Sequence, residues 1–126
     1  RITRVLHYAQ NMGLYRIQAD VHQVDAQLKL KRGELGLGAE AAARSIAMSA
    51  RHGLRLRKLS GLVAYGRIQF ARHQLEFARD VLVEAKQEAE SLGYQIQAAS
   101  ASNLLARIGS DLDLNRAGSD LRRRIR

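Results

Sequence analysis

Apolar residues along this chain return every three or four positions over long stretches, and short glycine-bearing breaks separate the stretches. That spacing marks one face of an α-helix. The first stretch holds Ile2, Val5, Leu6, Ala9 and Met12, and Gly13 is expected to end it, because glycine takes positive φ at a helix C-terminus without steric cost. A long helix is then predicted from about Tyr15 to Arg32, with Ile17, Val21, Val24 and Leu28 in a stripe and Ala19 and Ala26 as close-approach positions. Three glycines between Gly33 and Gly38 predict a turn, since each raises the entropy lost in a helix interior. An alanine-rich helix from about Ala39 to Arg51 follows.

Beyond Gly53 the scheme repeats. Leu59, Leu62, Val63, Gly66 and Phe70 mark one helix, a turn falls around His73, and Phe77, Val81, Leu82, Ala85, Ala89 and Leu92 line the next. After Gly93, Ile96, Ala99, Leu104, Leu105 and Ile108 mark a further helix, whose pattern weakens at Gly109. Gly118-Ser119-Asp120 offers N-cap residues for a short last helix from about Ser119. Gly13, Gly53 and Gly93 stand 40 residues apart, and Arg1 to Met12 align with Ala41 to His52 and Val81 to Leu92.

A two-helix unit repeated at that period cannot bury its apolar faces alone, so it stacks on copies of itself. The expected fold class is therefore all-α: a right-handed superhelix of antiparallel helix pairs in one domain. Residues 1–12 would be the second helix of a partial repeat, 13–52 and 53–92 two full repeats, and 93–126 a degenerate or capping repeat. The chain reads as a piece of a longer array.

At Asp25-Ala-Gln-Leu-Lys-Leu30, Tyr65-Gly-Arg-Ile-Gln-Phe70 and Leu105-Ala-Arg-Ile108 the chain resembles tetratricopeptide repeats, in the 40-residue form of maltose-regulator-type transcription activators and related signalling ATPases. The small residue at the close contact of the first helix would be Ala26, Gly66 and Ala106, the turn position Gly33, His73 and Asp113, and the small residue early in the second helix Gly38, Ala78 and Gly118. His22, Leu62 and Ser102 stand where the family has an aromatic. HEAT-like and other helical-hairpin repeats are the alternative. The resemblance implies a concave groove lined by the first helix of each pair, with Gln23, Gln27, Val63, Arg67, Asn103 and Arg107 pointing into it and Leu30 and Phe70 further along the same helices. Arg67 and Arg107 would suit an acidic partner, because a guanidinium offers carboxylates a planar fork of donors.

Composition narrows the chemistry. The chain has 126 residues, no proline, cysteine or tryptophan, and 46% hydrophobic residues, a folded helical composition. Lack of cysteine fits a reducing, cytoplasmic setting. No run reaches the ~18 apolar residues of a membrane span. His7, His22, His52 and His73 have no metal-ligand spacing, and no nucleophile–base pair stands out, so the expectation is a non-catalytic chain with no cofactor or metal. The glycines from Gly33 to Gly38 follow a helix rather than a strand, which argues against a phosphate loop.

The expected function is binding of a partner protein or peptide, as the regulatory or sensor part of a larger signalling or transcription-regulatory protein. An adaptor or secretion chaperone holding a client is the alternative. Self-association through the truncated repeat face at Ile2, Val5 and Leu6 is a further expectation. A net charge of +9, with Arg51, Arg55, Arg57 and Lys58 around one turn and Arg122 to Arg126 at the end, admits nucleic acid as a partner of another class. No aromatics stand among those cations to stack on bases, which argues against it. A salt titration with generic duplex DNA separates the classes: no affinity even at low ionic strength ends the nucleic-acid reading, whereas tight binding with a steep salt slope supports it.

Overall fold

The computed structural model describes residues 2–125, with side chains from residue 10 onward. Five α-helices follow in order, α1 (Ile2–Lys31), α2 (Leu35–Arg51), α3 (Arg55–Ala71), α4 (Leu75–Leu92) and α5 (Gln95–Ile125), and the described residues contain no strand. None of the helices is long and apolar enough to cross a membrane. Each packs on the next in sequence; α3 also touches α1 and α5, whereas α2 and α4 do not meet.

The four connections have one chemistry. Gly33, Gly53, His73 and Gly93 all lie in the left-handed region, with φ of 76°, 69°, 60° and 77°. The residue after each sends its N–H back to the carbonyl five positions earlier: Glu34 to Lys29 at 2.9 Å, Leu54 to Ser49 at 2.8 Å, Gln74 to Gln69 at 2.9 Å and Tyr94 to Ala89 at 2.8 Å. These are Schellman closures, which satisfy carbonyls that the ending helix leaves orphaned. Turns therefore recur at 33, 53, 73 and 93, half the 40-residue period.

Two positions in the same register do not turn. Gly13 lies inside α1, which runs unbroken for 30 residues, and Asp113 lies inside α5, which runs for 31. The break expected at Gly13 is thus absent, as is the separate helix expected from Ser119. At both places the chain keeps its intrahelical hydrogen bonds, because no described neighbour packs on a returning segment to offset their loss. The Gly33–Gly38 turn is also shorter than expected: α2 begins at Leu35, and Gly36 and Gly38 are helical.

Gly38 serves packing instead. A Cβ there would lie 3.3 Å from Lys29 Cβ and 3.4 Å from the Ala26 carbonyl oxygen, so its absence lets α2 close on α1 beside the fully buried Ala26. Gly61 does the same for α2 and α3, where a Cβ would meet Ile46 Cγ1 at 2.9 Å. At Gly66 a Cβ would meet Leu82 Cγ at 2.5 Å. Of the expected contact positions, Ala26, Gly66, Gly38 and Ala78 are buried at helix crossings, while Ala106 is exposed and Gly118 meets only Arg122 of its own helix.

Two apolar clusters result. One joins Leu59, Leu62 and Val63 of α3 to Leu82 and Ala85 of α4 and Leu104 and Ile108 of α5. The other joins Ala26, Ala39, Ala41, Ala42 and Ile68 across α1, α2 and α3. Burying each of Leu59, Ile68, Leu82 and Ile108 contributes roughly 1.5–3 kcal/mol. The alanine-dominated second cluster gains from close backbone approach.

The glycines separate by role. Gly66→Ala should lower stability by about 1 kcal/mol or more, since overpacking against Leu82 exceeds the ~1 kcal/mol helix-propensity gain. Gly13→Ala, with nothing within 4 Å of the added Cβ, should raise stability by roughly 0.5–1 kcal/mol. Urea denaturation of the two variants decides: opposite signs are expected, and equal signs would contradict the packing described. By the same measurement His73→Gly should stabilise by up to about 1 kcal/mol, by relieving a non-glycine residue at φ 60°.

Candidate functional site

Because α3 touches both α1 and α5 while α2 and α4 stay apart, the three odd-numbered helices share one surface. Two adjoining recesses run across it. One, of about 340 Å³, lies between α1 and α3, lined by Asp20, Gln23 and Gln27 facing Leu56, Arg57 and Ser60, with Ser45 of α2 at its base. The other, of about 180 Å³, is bounded by Val63 and Arg67 of α3 and by Ile96, Gln97 and Ser100 of α5. Gln23, Gln27 and Ser60 belong to both, which makes them one trough spanning α1, α3 and α5.

Its lining is polar by sequence pattern rather than by accident of exposure. Asp20, Ser60 and Ser100 occupy one row at 40-residue intervals, and Gln27 and Arg67 share another. The floor is held by hydrogen bonds between helices. Ser45 Oγ donates to the Ala19 carbonyl at 3.0 Å, and Gln23 Nε2 donates to the Ser60 carbonyl at 3.2 Å. Gln23 Oε1 is buried with no partner, an acceptor that a donor-bearing ligand could satisfy after a side-chain rotation.

Charge is uneven along the trough. At one end Arg57 Nε donates to Asp20 Oδ1 at 2.9 Å and its Nη2 to Oδ2 at 3.3 Å, a two-pronged pair that ties α3 to α1 and neutralises both groups. At the other end Arg67 is exposed and, among the described residues, has no carboxylate within salt-bridge distance. An anion entering the trough therefore meets one uncompensated guanidinium.

No family model matches the chain, and no curated protein and no solved structure matches it either. Its function is therefore to be read from this surface.

The structure distributes the eight groove positions read from the sequence unequally. Gln23, Gln27, Val63 and Arg67 come together in the trough. Leu30 packs instead on the cluster around Ala26 and Ile68, and Phe70 on the cluster around Leu59 and Leu82. Arg107 does not stand beside Arg67 as a second prong; its guanidinium carbon lies 5.2 Å from the centre of the Phe70 ring, a cation–π contact between α5 and α3. Asn103 is exposed and lines neither recess.

Sequence reading missed Asp20, Arg57, Ser60, Gln97 and Ser100. The signal was present, since Ser60 and Ser100 precede Val63 and Asn103 by three residues, one turn back on the same face.

Elsewhere the basic cluster near Gly53 is partly neutralised, with Arg57 on Asp20 and Lys58 Nζ 3.7 Å from Glu88 Oε2. His52 stacks on Tyr15 with ring centres 3.5 Å apart, which pins the end of α2 to α1. Among the described residues no group of three His, Asp or Glu side chains gathers as a metal ion would need.

The two arginines therefore have separable roles. Arg107→Ala should lower stability by about 0.5–1 kcal/mol through loss of the Phe70 contact, whereas Arg67→Ala should lie within about 0.5 kcal/mol of the parent. Chemical denaturation would detect the difference, and equal effects would contradict the distinction.

Proposed function

We propose that this chain is a tetratricopeptide-like helical repeat, a right-handed stack of antiparallel helix pairs whose odd-numbered helices form the inner curve, and that it binds a partner peptide in the trough without catalysing a reaction. The observation that carries this reading is the trough itself: a continuous recess across three helices, lined by amides and hydroxyls together with Leu56, Val63 and Ile96, and carrying an Arg67 with no carboxylate partner among the described residues. Recurrence of left-handed turns at 33, 53, 73 and 93 supports the repeat. So do buried positions matched at the 40-residue offset, with Gly38, Ala42, Ser45 and Ser49 of α2 answering Ala78, Leu82, Ala85 and Ala89 of α4.

Amide side chains suit an extended peptide because they offer donors and acceptors to its main chain whatever its sequence. Specificity then comes from Arg67, which favours an acidic residue or a C-terminal carboxylate. Helices packed through glycine contacts present these groups in fixed positions, so the partner segment bears most of the ordering entropy. A module of this kind serves as the regulatory or sensor part of a larger signalling or transcription-regulatory protein, reporting occupancy of the trough to an attached output.

Fluorescence anisotropy with labelled acidic, neutral and basic extended peptides tests the reading. The acidic peptide should bind best, and Arg67→Glu should weaken it by about tenfold or more, the loss expected for one charge-assisted contact turned repulsive. Circular dichroism should show unchanged helicity. Arg123→Glu, on the exposed last turn of α5, should have a much smaller effect; equal losses at Arg67 and Arg123 would mean unspecific attraction to a basic protein and would end the groove assignment.

A further inference from the structure

The two recesses of the trough are one site built twice. Asp20, Gln23, Gln27, Leu56, Arg57 and Ser60 line the first. At an offset of 40 residues, position for position, Ser60, Val63, Arg67, Ile96, Gln97 and Ser100 line the second. Each recess forms where the first turns of one odd-numbered helix lie beside the odd-numbered helix before it.

The two copies agree in one feature and differ in two others. Both have an apolar wall at the same position, Leu56 at 41% exposure and Ile96 at 78%. These two side chains lie outside both apolar clusters of the core, so their surface is open to a ligand. Charge differs between the copies. In the first recess Arg57 and Asp20 neutralise each other. In the second, Gln97 and Ser60 take those two places, and Arg67, in the register of Gln27, has no carboxylate partner among the described residues. Size differs as well, about 340 Å³ against about 180 Å³.

The step from one wall to the other is the step from α3 to α5. Helices in contact lie about 8–10 Å apart. A β-strand returns side chains to one face every ~6.8 Å, which falls short of that step. A polyproline II segment returns them every third residue, about 9.3 Å, which matches it.

We infer that the trough takes an extended acidic segment in the polyproline II form, with two apolar side chains three residues apart, the bulkier against Leu56 and the smaller against Ile96, and a carboxylate beside the smaller one reaching Arg67. The assignment rests on the trough being the peptide site proposed above, and goes beyond it by fixing the spacing, the order of size and the place of the charge.

Fluorescence anisotropy with the whole chain at physiological salt tests it, using labelled peptides of equal length and charge so that general attraction to a basic protein cancels. The reference peptide carries a phenylalanine and a valine three residues apart with an aspartate next to the valine, on a serine background, and is made in both chain directions. In one direction it should bind about tenfold more tightly than peptides with the apolar pair two or four residues apart, or with the aspartate next to the phenylalanine. Leu56→Ser and Ile96→Ser, both at exposed positions, should each weaken it by about tenfold, the loss of one apolar contact, whereas Leu114→Ser on the exposed end of α5 should not. Gln27→Arg gives the first recess the charge of the second. A peptide with a second aspartate beside the phenylalanine should bind this variant about tenfold more tightly than the parent, while one with that aspartate at its far end gains little, a selectivity that a merely structural role for the recess would not produce. Acidic peptides that bind through Arg67 whatever their apolar spacing, with Leu56→Ser and Ile96→Ser without effect, would overturn the inference and leave the peptide site standing. No binding by any of these peptides would overturn both.

Discussion

Close approach of helix backbones is the constraint on which this structure rests. Gly38 lies against Ala26, Gly61 under Ile46 and Gly66 under Leu82, and at each crossing a methyl group would stand inside or at the edge of van der Waals contact. Interiors pack near crystal density, so one missing Cβ sets the distance between two helix axes. Glycine inside a helix carries an entropy penalty of up to about 1 kcal/mol. Here the tighter packing it allows between the two helices offsets that penalty.

The surface follows from those crossings. Helices of 17 or 18 residues, joined by turns with a single left-handed residue, come back antiparallel and leave α1, α3 and α5 edge to edge. Residues one turn apart on these helices then line one trough. Its lining mixes Gln23, Gln27, Ser60, Ser100 and Arg67 with Leu56, Val63 and Ile96, so the recess offers polar groups beside apolar surface. The Arg57–Asp20 pair closes one end electrostatically, and Arg67 at the other end has no carboxylate partner among the described residues.

The ends of the chain obey the same physics with a different outcome. Gly13 and Asp113 fall in the register of the four turns, yet both continue a helix. A Schellman turn gains little unless the segment beyond it finds a surface to pack on. On α1 the residues Val21, Val24 and Leu28 are exposed, and the exposed Ala106 shows that nothing packs back on α5 among the described residues.

Sequence alone determined the helices and their period. Apolar spacing of three and four, the absence of proline, and glycines 40 residues apart are local or additive signals, and they placed α3, α4 and the turns at 53, 73 and 93. Local signals could not tell a glycine that turns from one that stays in a helix: Gly13 and Gly53 share the 40-residue register, but Gly53 has φ 69° and closes a turn, while Gly13 lies inside α1. Nor could spacing alone separate Arg67 from Arg107, which share a register, although Arg67 lines the trough while Arg107 lies over the Phe70 ring. Tertiary structure decided these cases because what a glycine or an arginine does depends on the neighbour that another part of the chain brings to it, and that neighbour is a property of the packed helices rather than of either residue.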